Sequence, residues 1–201
     1  MSILRRVVLL RHGDTEGNSA SRFHGSGDVA LSQEGREQIR EAAHRLRGEV
    51  FDLAVASPLR RSWQSARLLA GAAPVRLETG FREIHFGRWE GLSLEEIQAR
   101  DPVLCEDWQA GREGFEYPSG ELRADFRARI LASFASIEAS GARNVLCVLH
   151  KGVIRVLAEH LSGEALPRDQ PALGRSVSFT RPAGGAWRAG RPSSDPEALV
   201  A

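Results

Sequence analysis

Val7-Val8-Leu9-Leu10-Arg11-His12-Gly13 is the run from which the fold is read. Four consecutive apolar residues predict a strand buried on both faces over residues 3–10, as in parallel sheets. A polar, glycine-bearing loop follows from Arg11 to about Ala30. The pattern returns at Asn144-Val145-Leu146-Cys147-Val148-Leu149, again followed by a histidine and a glycine, His150-Lys151-Gly152. Residues 51–56 form a further strand and Val75-Arg76-Leu77 a short one.

Helical patterns separate these strands. Ser32 caps a helix to Leu46, with Ile39, Ala42, Ala43 and Leu46 at helical spacing and Gly48 as its stop. Ser57-Pro58 places a capping hydroxyl before a first-turn proline and predicts a helix from there to about Ala70. Ser93-Leu94-Glu95-Glu96 is a capping box opening a short helix that Pro102 ends, and residues 103–110 form another. A long helix from Glu121 to about Ala139 buries Phe126, Ile130, Phe134 and Ile137, and a last one runs to Leu161. Ser176–Thr180 and Ala186–Arg188 pair as a hairpin across Gly184-Gly185. Alternating strands and helices give an α/β fold, with helices on both faces of a mainly parallel sheet. We expect one domain over residues 1–190, a lid or specificity insert at about 80–125, and a frayed Pro/Ser-rich tail at 191–201.

The chain has 201 residues, 27 Lys plus Arg against 26 Asp plus Glu, and a net charge of +1. That balance excludes a binder relying on a general basic field, so no nucleic-acid partner is expected. Lys151 is the only lysine. Two cysteines, Cys105 and Cys147, make no disulfide framework and no metal spacing, and point to a reducing cytoplasm. The apolar run near the N-terminus is too short for a signal-peptide core, and no stretch approaches the roughly 20 apolar residues of a membrane span. No membrane partner is expected, and the oligomeric state is left open.

Ligands of such sheets bind at the carboxyl ends of the strands. Arg11-His12-Gly13, Ser57-Pro58-Leu59-Arg60-Arg61 and His150-Lys151-Gly152 all fall there. Two imidazoles, two or three guanidiniums and helix-start N–H groups make a site for a dianion. Neutral imidazole attacks phosphorus to give a phosphohistidine that water later cleaves. Arg11, Arg61 and a cationic His150 would stabilise the equatorial oxygens without a metal or cofactor. Glu83, in Phe81-Arg82-Glu83-Ile84-His85-Phe86-Gly87, is the carboxyl expected to protonate the leaving oxygen. A bound dianion would disfavour its ionisation. The phase of a helix starting at Pro58 leaves Arg60 in solvent.

Residues 9–18, Leu-Leu-Arg-His-Gly-Asp-Thr-Glu-Gly-Asn, resemble the signature of the histidine phosphatase superfamily, in the branch with the phosphoglycerate mutases. Arg22-Phe23-His24-Gly25, the second motif around Arg61, the acid motif around Glu83, and Leu149-His150-Lys151-Gly152-Val153-Ile154-Arg155 follow in family order. The resemblance implies a three-layer α/β/α sandwich with a helical lid insert. It implies His12 as the phosphorylated nucleophile, Arg11, Arg61 and His150 around the phosphate, and Glu83 as proton donor. It also implies that Asn18, His24, Gly25, Lys151 and Gly152 line the substrate side, with a small phosphorylated metabolite as substrate.

Lys151 departs from the family's frequent glycine. Leu122 departs after Tyr117-Pro118-Ser119-Gly120-Glu121, where a small hydroxyl residue is usual. Arg100 and Arg112 stand isolated where mutases carry an Arg pair, which favours a phosphatase. Trp89-Glu90-Gly91, Asp107-Trp108-Gln109 and the length look most like the α-ribazole phosphatase and broad-specificity branches. A phosphoglycerate mutase and a catalytically silent phosphate-binding module are the alternatives. A zinc hydrolase lacks its His-Glu-x-x-His and paired-Cys signals.

Overall fold

The computed structural model describes residues 3–17 and 21–190. Its strands are β1 (Arg6–Arg11), β2 (Leu53–Ala56), β3 (Val75–Leu77), β4 (Asn144–Leu149), β5 (Ser176–Thr180) and β6 (Arg188–Ala189). Its helices are α1 (Gln33–Arg45), α2 (Arg60–Leu69), α3 (Leu94–Arg100), α4 (Pro102–Ala110), α5 (Arg123–Glu138) and α6 (Lys151–Ser162). They build one sheet in the order β3-β2-β4-β1-β5-β6. The pairs β3-β2, β2-β4 and β4-β1 are parallel, while β5 and β6 join antiparallel at one edge.

Period-two alternation divides the apolar side chains between two layers. Val7 and Leu9 of β1, with Val145, Cys147 and Leu149 of β4, pack under Phe126, Ile130, Phe134 and Ile137 of α5 and Val153, Ile154 and Leu157 of α6. Val8, Leu10, Leu146 and Val148 face Ile39 and Ala42 of α1 and Ala66 of α2 on the other side. This is the expected α/β/α sandwich. The parallel register sets Arg11 opposite Leu149, so His12 and His150 leave neighbouring strands side by side.

The insert builds a small core of its own. Trp89, Ile97, Cys105 and Phe115 are buried there, with Phe23, Trp108 and Tyr117 packed against them. The Ser93–Glu96 capping box forms as the sequence predicts. Both cysteines are buried free thiols, and burial pushes Cys147 up to about 12.

Strands β1 and β2 start later than the expected residues 3 and 51, and three further boundaries differ from expectation. Helix α2 begins at Arg60, with Leu59 and not Ser57 at the cap. The Ser57 hydroxyl instead accepts from the Leu59 N–H at 3.2 Å, and the Arg60 N–H donates to Asp28 Oδ1 at 2.6 Å. A carboxylate from a distant loop therefore takes the N-terminal role. Helix α5 starts at Arg123, after an extended Leu122, and the Arg123 N–H donates to Glu116 Oε2 at 2.9 Å. The second hairpin strand is Arg188–Ala189, which pairs with Thr180 and Phe179 beyond the predicted Ala186–Arg188. The predicted tail at 191–201 lies outside the described residues.

Ile130 is fully buried between α5 and the sheet, whereas Leu122 is 54% exposed. Ile130→Ala should cost about 2–5 kcal/mol, lowering Tm by roughly 4–20 °C, by lost transfer energy and a residual cavity. Leu122→Ala should change stability by no more than about 0.5 kcal/mol. Chemical denaturation of both variants checks this, and equal losses would contradict the core assignment.

Candidate functional site

The loop after β1 is clamped to the start of α1 by backbone contact. A Cβ on Gly13 would lie 2.2 Å from the Gly35 carbonyl oxygen, and one on Gly35 would lie 2.0 Å from that of Asp14. Only glycines permit this approach. The Asp14 N–H donates to Gln38 Oε1 at 2.9 Å, and Ser32 Oγ, the α1 cap, donates to the Asp14 carboxylate at 3.0 Å.

His12 is thereby fixed with 5% of its surface exposed. Its Nδ1 lies 2.7 Å from the Gly13 carbonyl oxygen. A carbonyl only accepts, so Nδ1 carries the proton and Nε2 keeps its lone pair. Burial, then the fields of Arg61 and Arg11, hold the His12 imidazole well below its ordinary value of 6.5. It is a neutral imidazole among cations.

Arg61, in the first turn of α2, is 1% exposed. Its Nε donates to His150 Nδ1 at 3.2 Å, Nη1 to the Gly27 carbonyl at 2.7 Å, and Nη2 to the carbonyls of His24 and Gly25 at 2.9 and 2.6 Å. Burial lowers this guanidinium to about 10, so it stays charged at neutral pH. Because His150 Nδ1 accepts from a cation, its proton sits on Nε2. Burial and the Arg61, His12 and Arg11 groups hold His150 well below 6.5. The expected cationic His150 is therefore corrected to a neutral donor, since its basic nitrogen is already spent on a guanidinium. The two imidazole rings are 5.1 Å apart at 63°.

Among the described residues, the buried side-chain polar atoms without a partner are Arg11 Nε, Thr15 Oγ1 and His150 Nε2. Buried polar atoms are normally satisfied, so three orphans in this neighbourhood are ready for a polar ligand. Sequence reasoning missed the Thr15 hydroxyl, although it lies inside the first motif.

Glu83 is 8% exposed and held at both oxygens: Oε1 accepts from the Ile84 N–H at 3.0 Å and Oε2 from the Gly152 N–H at 2.9 Å. Burial raises its carboxyl above the usual carboxylate range, against these hydrogen bonds and the fields of Arg61 and Arg11. A Cβ on Gly152 would meet Glu83 Oε1 at 2.4 Å, so this glycine gives the carboxyl its room.

Two residues unforeseen from sequence hold the surrounding loops. Arg129 of α5 grips the Glu121 carboxylate with Nε and Nη2 at 2.6 and 2.8 Å, and its Nη1 donates to the carbonyls of Gly80 and Arg82, both at 2.7 Å. Glu90 accepts from the N–H groups of Gly25, Ser26 and Phe86 at 3.1, 2.8 and 3.0 Å, joining the insert to the loop that cages Arg61. Gly25 is pressed so close to the insert that a Cβ would lie 2.2 Å from the Ile84 carbonyl oxygen.

The other sequence candidates divide. His24 is half-buried, with Nε2 3.2 Å from the Gly17 carbonyl oxygen. Asn18 lies outside the described residues. Arg60 is exposed, as expected. His85 is exposed and its Nδ1 accepts from the Gly87 N–H at 3.1 Å, so it braces its own turn. Trp89 is fully buried with Nε1 donating to Asp101 at 2.7 Å, so it is closed to a ligand. Trp108, Lys151, Gly152 and Glu83 line one cavity of about 760 Å³. Among the described residues, no group of three His, Cys, Asp or Glu is placed to hold a metal, and no helix is long and apolar enough to cross a membrane.

This arrangement suits attack by a neutral imidazole on a bound dianion beside a proton donor. Residues 7–188 match the histidine phosphatase superfamily (branch 1). A glucosyl-3-phosphoglycerate phosphatase from Mycolicibacterium vanbaalenii is 36% identical over 182 residues, covering 85% of this chain and 80% of that protein. A 2,3-bisphosphoglycerate-dependent phosphoglycerate mutase 2 from Gloeobacter violaceus is 30% identical over 193 residues, 90% of this chain and 88% of that one. Among solved structures, the α-ribazole phosphatase from Shigella flexneri superposes with a TM-score of 0.80 at 25% identity, over 94% of this chain and 96% of its own. With the strand-end histidines and guanidiniums already in place, the match across most of the chain makes this protein a member of the histidine phosphatase superfamily.

Proposed function

We propose that the protein is a phosphomonoester hydrolase that works through a phosphohistidine on His12 and acts on a small phosphorylated metabolite. The observation that carries this is the His12 tautomer. Gly13 holds the Nδ1 proton, so Nε2 offers a lone pair in a site whose fixed charges are guanidiniums.

In the first half-reaction His12 Nε2 bonds to phosphorus, the ester P–O bond breaks, and the leaving oxygen takes its proton from Glu83. Arg11, Arg61 and the Nε2–H of His150 hold the equatorial oxygens. In the second half, Glu83 as carboxylate takes a proton from water, whose oxygen bonds to phosphorus as the N–P bond breaks. Inorganic phosphate leaves, and His12 and Glu83 regain their starting states. Positive charge comes from side chains throughout, so the scheme uses no metal or cofactor. Asn18, His24 and Gly25 belong to its substrate side, with Gly25 acting through the Arg61 cage. Residues 80–125 serve as the specificity insert of one domain spanning 1–190, and the free buried thiols fit a cytoplasmic setting. Hydrolysis is favoured over mutase transfer because Arg112 is engaged with Asp107 at 3.1 Å, not paired with Arg100 to grip a second acidic group.

Brief mixing with a labelled phosphomonoester should leave acid-labile, base-stable label on the protein, and the label should form in excess chelator. His12→Ala should carry none; label surviving in that variant would remove His12 from the scheme. Arg61→Ala should lower kcat by roughly 10²–10³.

A raised Glu83 is an acid whose active, protonated form is present below its folded value and lost as pH rises through it. The kcat/KM profile should therefore fall on its alkaline side. The limb set by His12 should lie well below pH 6.5, where depressed basicity keeps the imidazole neutral. Glu83→Gln should abolish the alkaline limb and slow alkyl phosphates far more than p-nitrophenyl phosphate, whose leaving group needs little protonation. An unchanged alkaline limb would place the acid elsewhere.

Gly152→Ala leaves every titrating group in place but pushes a methyl toward Glu83 Oε1. It should show the same leaving-group bias as Glu83→Gln, with kcat for alkyl phosphates reduced roughly 10- to 100-fold. A uniform loss on both substrate types would mean that Gly152 serves the phosphate and not the acid.

A further inference from the structure

We propose that Lys151 forms a second anion subsite in the cavity beside Glu83, so that the preferred substrate is a phosphomonoester whose leaving alcohol carries a further carboxylate or phosphate. This rests on reading that cavity as the leaving-group side of the phosphate site.

Lys151 opens α6, directly after His150, and is half-buried in the cavity wall next to Gly152 and Glu83. Among the described residues its ammonium has no hydrogen-bond or ion-pair partner. A lysine taken partly out of water normally pairs or reaches back to solvent. Here the surroundings make that harder. Arg155 stands one helical turn on and lines the same cavity, with Nη1 donating to the Leu166 carbonyl at 2.6 Å. Like charges at this spacing repel.

Among the described residues, no neighbouring carboxylate contacts the Lys151 ammonium, although Asp169 and Glu83 favour its charge through their fields. Glu159 is engaged with Arg127 at 3.3 Å, and Glu83 is occupied by the N–H groups of Ile84 and Gly152. Asp169 acts on Lys151 only through its field and makes no contact with it. Burial and the charges of Arg11 and Arg155 accordingly hold the ammonium below its ordinary basicity. A ligand anion would relieve that repulsion.

Phe23, Phe86, Trp108 and Tyr117 also line the cavity, and its volume of about 760 Å³ admits a whole small metabolite. The body of the leaving alcohol packs on the rings, and its second charge meets Lys151 within a few bonds of the ester oxygen. Lys151 is then the residue that separates substrates with a charged tail from those without.

The test is calorimetric binding of three non-hydrolysable series to the full chain. These are alkyl phosphonates of increasing length, the same chains ending in carboxylate, and the same chains ending in a second phosphonate. The readout is the affinity ratio of charged-tail to plain ligand within each enzyme. In the wild type, one chain length should gain roughly 10- to 150-fold, the span of one hydrogen bond to a charged group. The series with the larger gain identifies the tail as carboxylate or phosphate. In Lys151→Gln the gain should fall to roughly two-fold or less, the scale of a screened surface charge, and Lys151→Arg should restore part of it. The proposal is overturned if no length gains in the wild type, if Lys151→Gln keeps the full gain, or if moderate salt erases the gain as it would for a diffuse field. A Lys151-dependent gain in a protein that hydrolyses no phosphomonoester would keep the subsite and overturn the hydrolase reading instead.

Discussion

The Arg61 guanidinium is the group around which the site is arranged. It is almost wholly buried, and four of its five N–H groups are spent on His150 and on three carbonyls of residues 24–27. A buried charge with fewer partners would be several kcal/mol worse off. The loop before α1 must therefore curl its carbonyls inward, and β4 must end in a residue that accepts at Nδ1. The choice propagates: His150 is left to donate from Nε2, and His12 sits neutral beside two guanidiniums. Burial and this one cation thus keep both imidazoles neutral. The same guanidinium also ties the insert to the sheet, because Gly25 accepts from Arg61 through its carbonyl and donates to Glu90 through its N–H.

The positions are held by close glycine contacts, two of them backbone against backbone and the third backbone against the Glu83 carboxyl. Gly13 and Gly35, Gly25 and Ile84, and Gly152 and Glu83 approach more closely than any side-chain-bearing residue allows. Such contacts have few soft degrees of freedom, so His12 and Glu83 are fixed before a ligand arrives, and such preorganisation is where much of an enzyme's rate advantage originates. The same constraint explains why the glycines stand at strand ends and helix starts.

What the sequence discloses here is what is locally encoded. The buried runs at Val7–Leu10 and Asn144–Leu149, the helical spacing of Phe126, Ile130, Phe134 and Ile137, and the Ser93–Glu96 box each contain their own cause within a few residues. The start of α2 does not, because Asp28, far off in sequence, answers the Arg60 N–H that Ser57 is expected to serve. Arg129 and Glu90 are invisible for the same reason: each acts on a loop brought near only by the fold. The candidate residues themselves were legible through their motifs. The charge of His150 was not, since it depends on which nitrogen faces a guanidinium two elements away.

In the proposed scheme the phosphate side and the leaving-group side of the site are built from different materials. Around His12, Arg61 and His150 the walls are strand ends and glycine contacts, where a single added methyl collides. Across the cavity the walls are side chains of α5 and α6 and of the insert, the last seated on the separate small core of Trp89, Ile97, Cys105 and Phe115. A substitution on the first side disturbs protonation and geometry together. One on the second changes shape or charge while leaving the sheet and both histidines in place. Specificity in this scaffold is therefore free to vary where chemistry is not. Lys151 lies on the seam: its backbone continues the strand-to-helix turn that carries His150, and its side chain belongs to the variable wall.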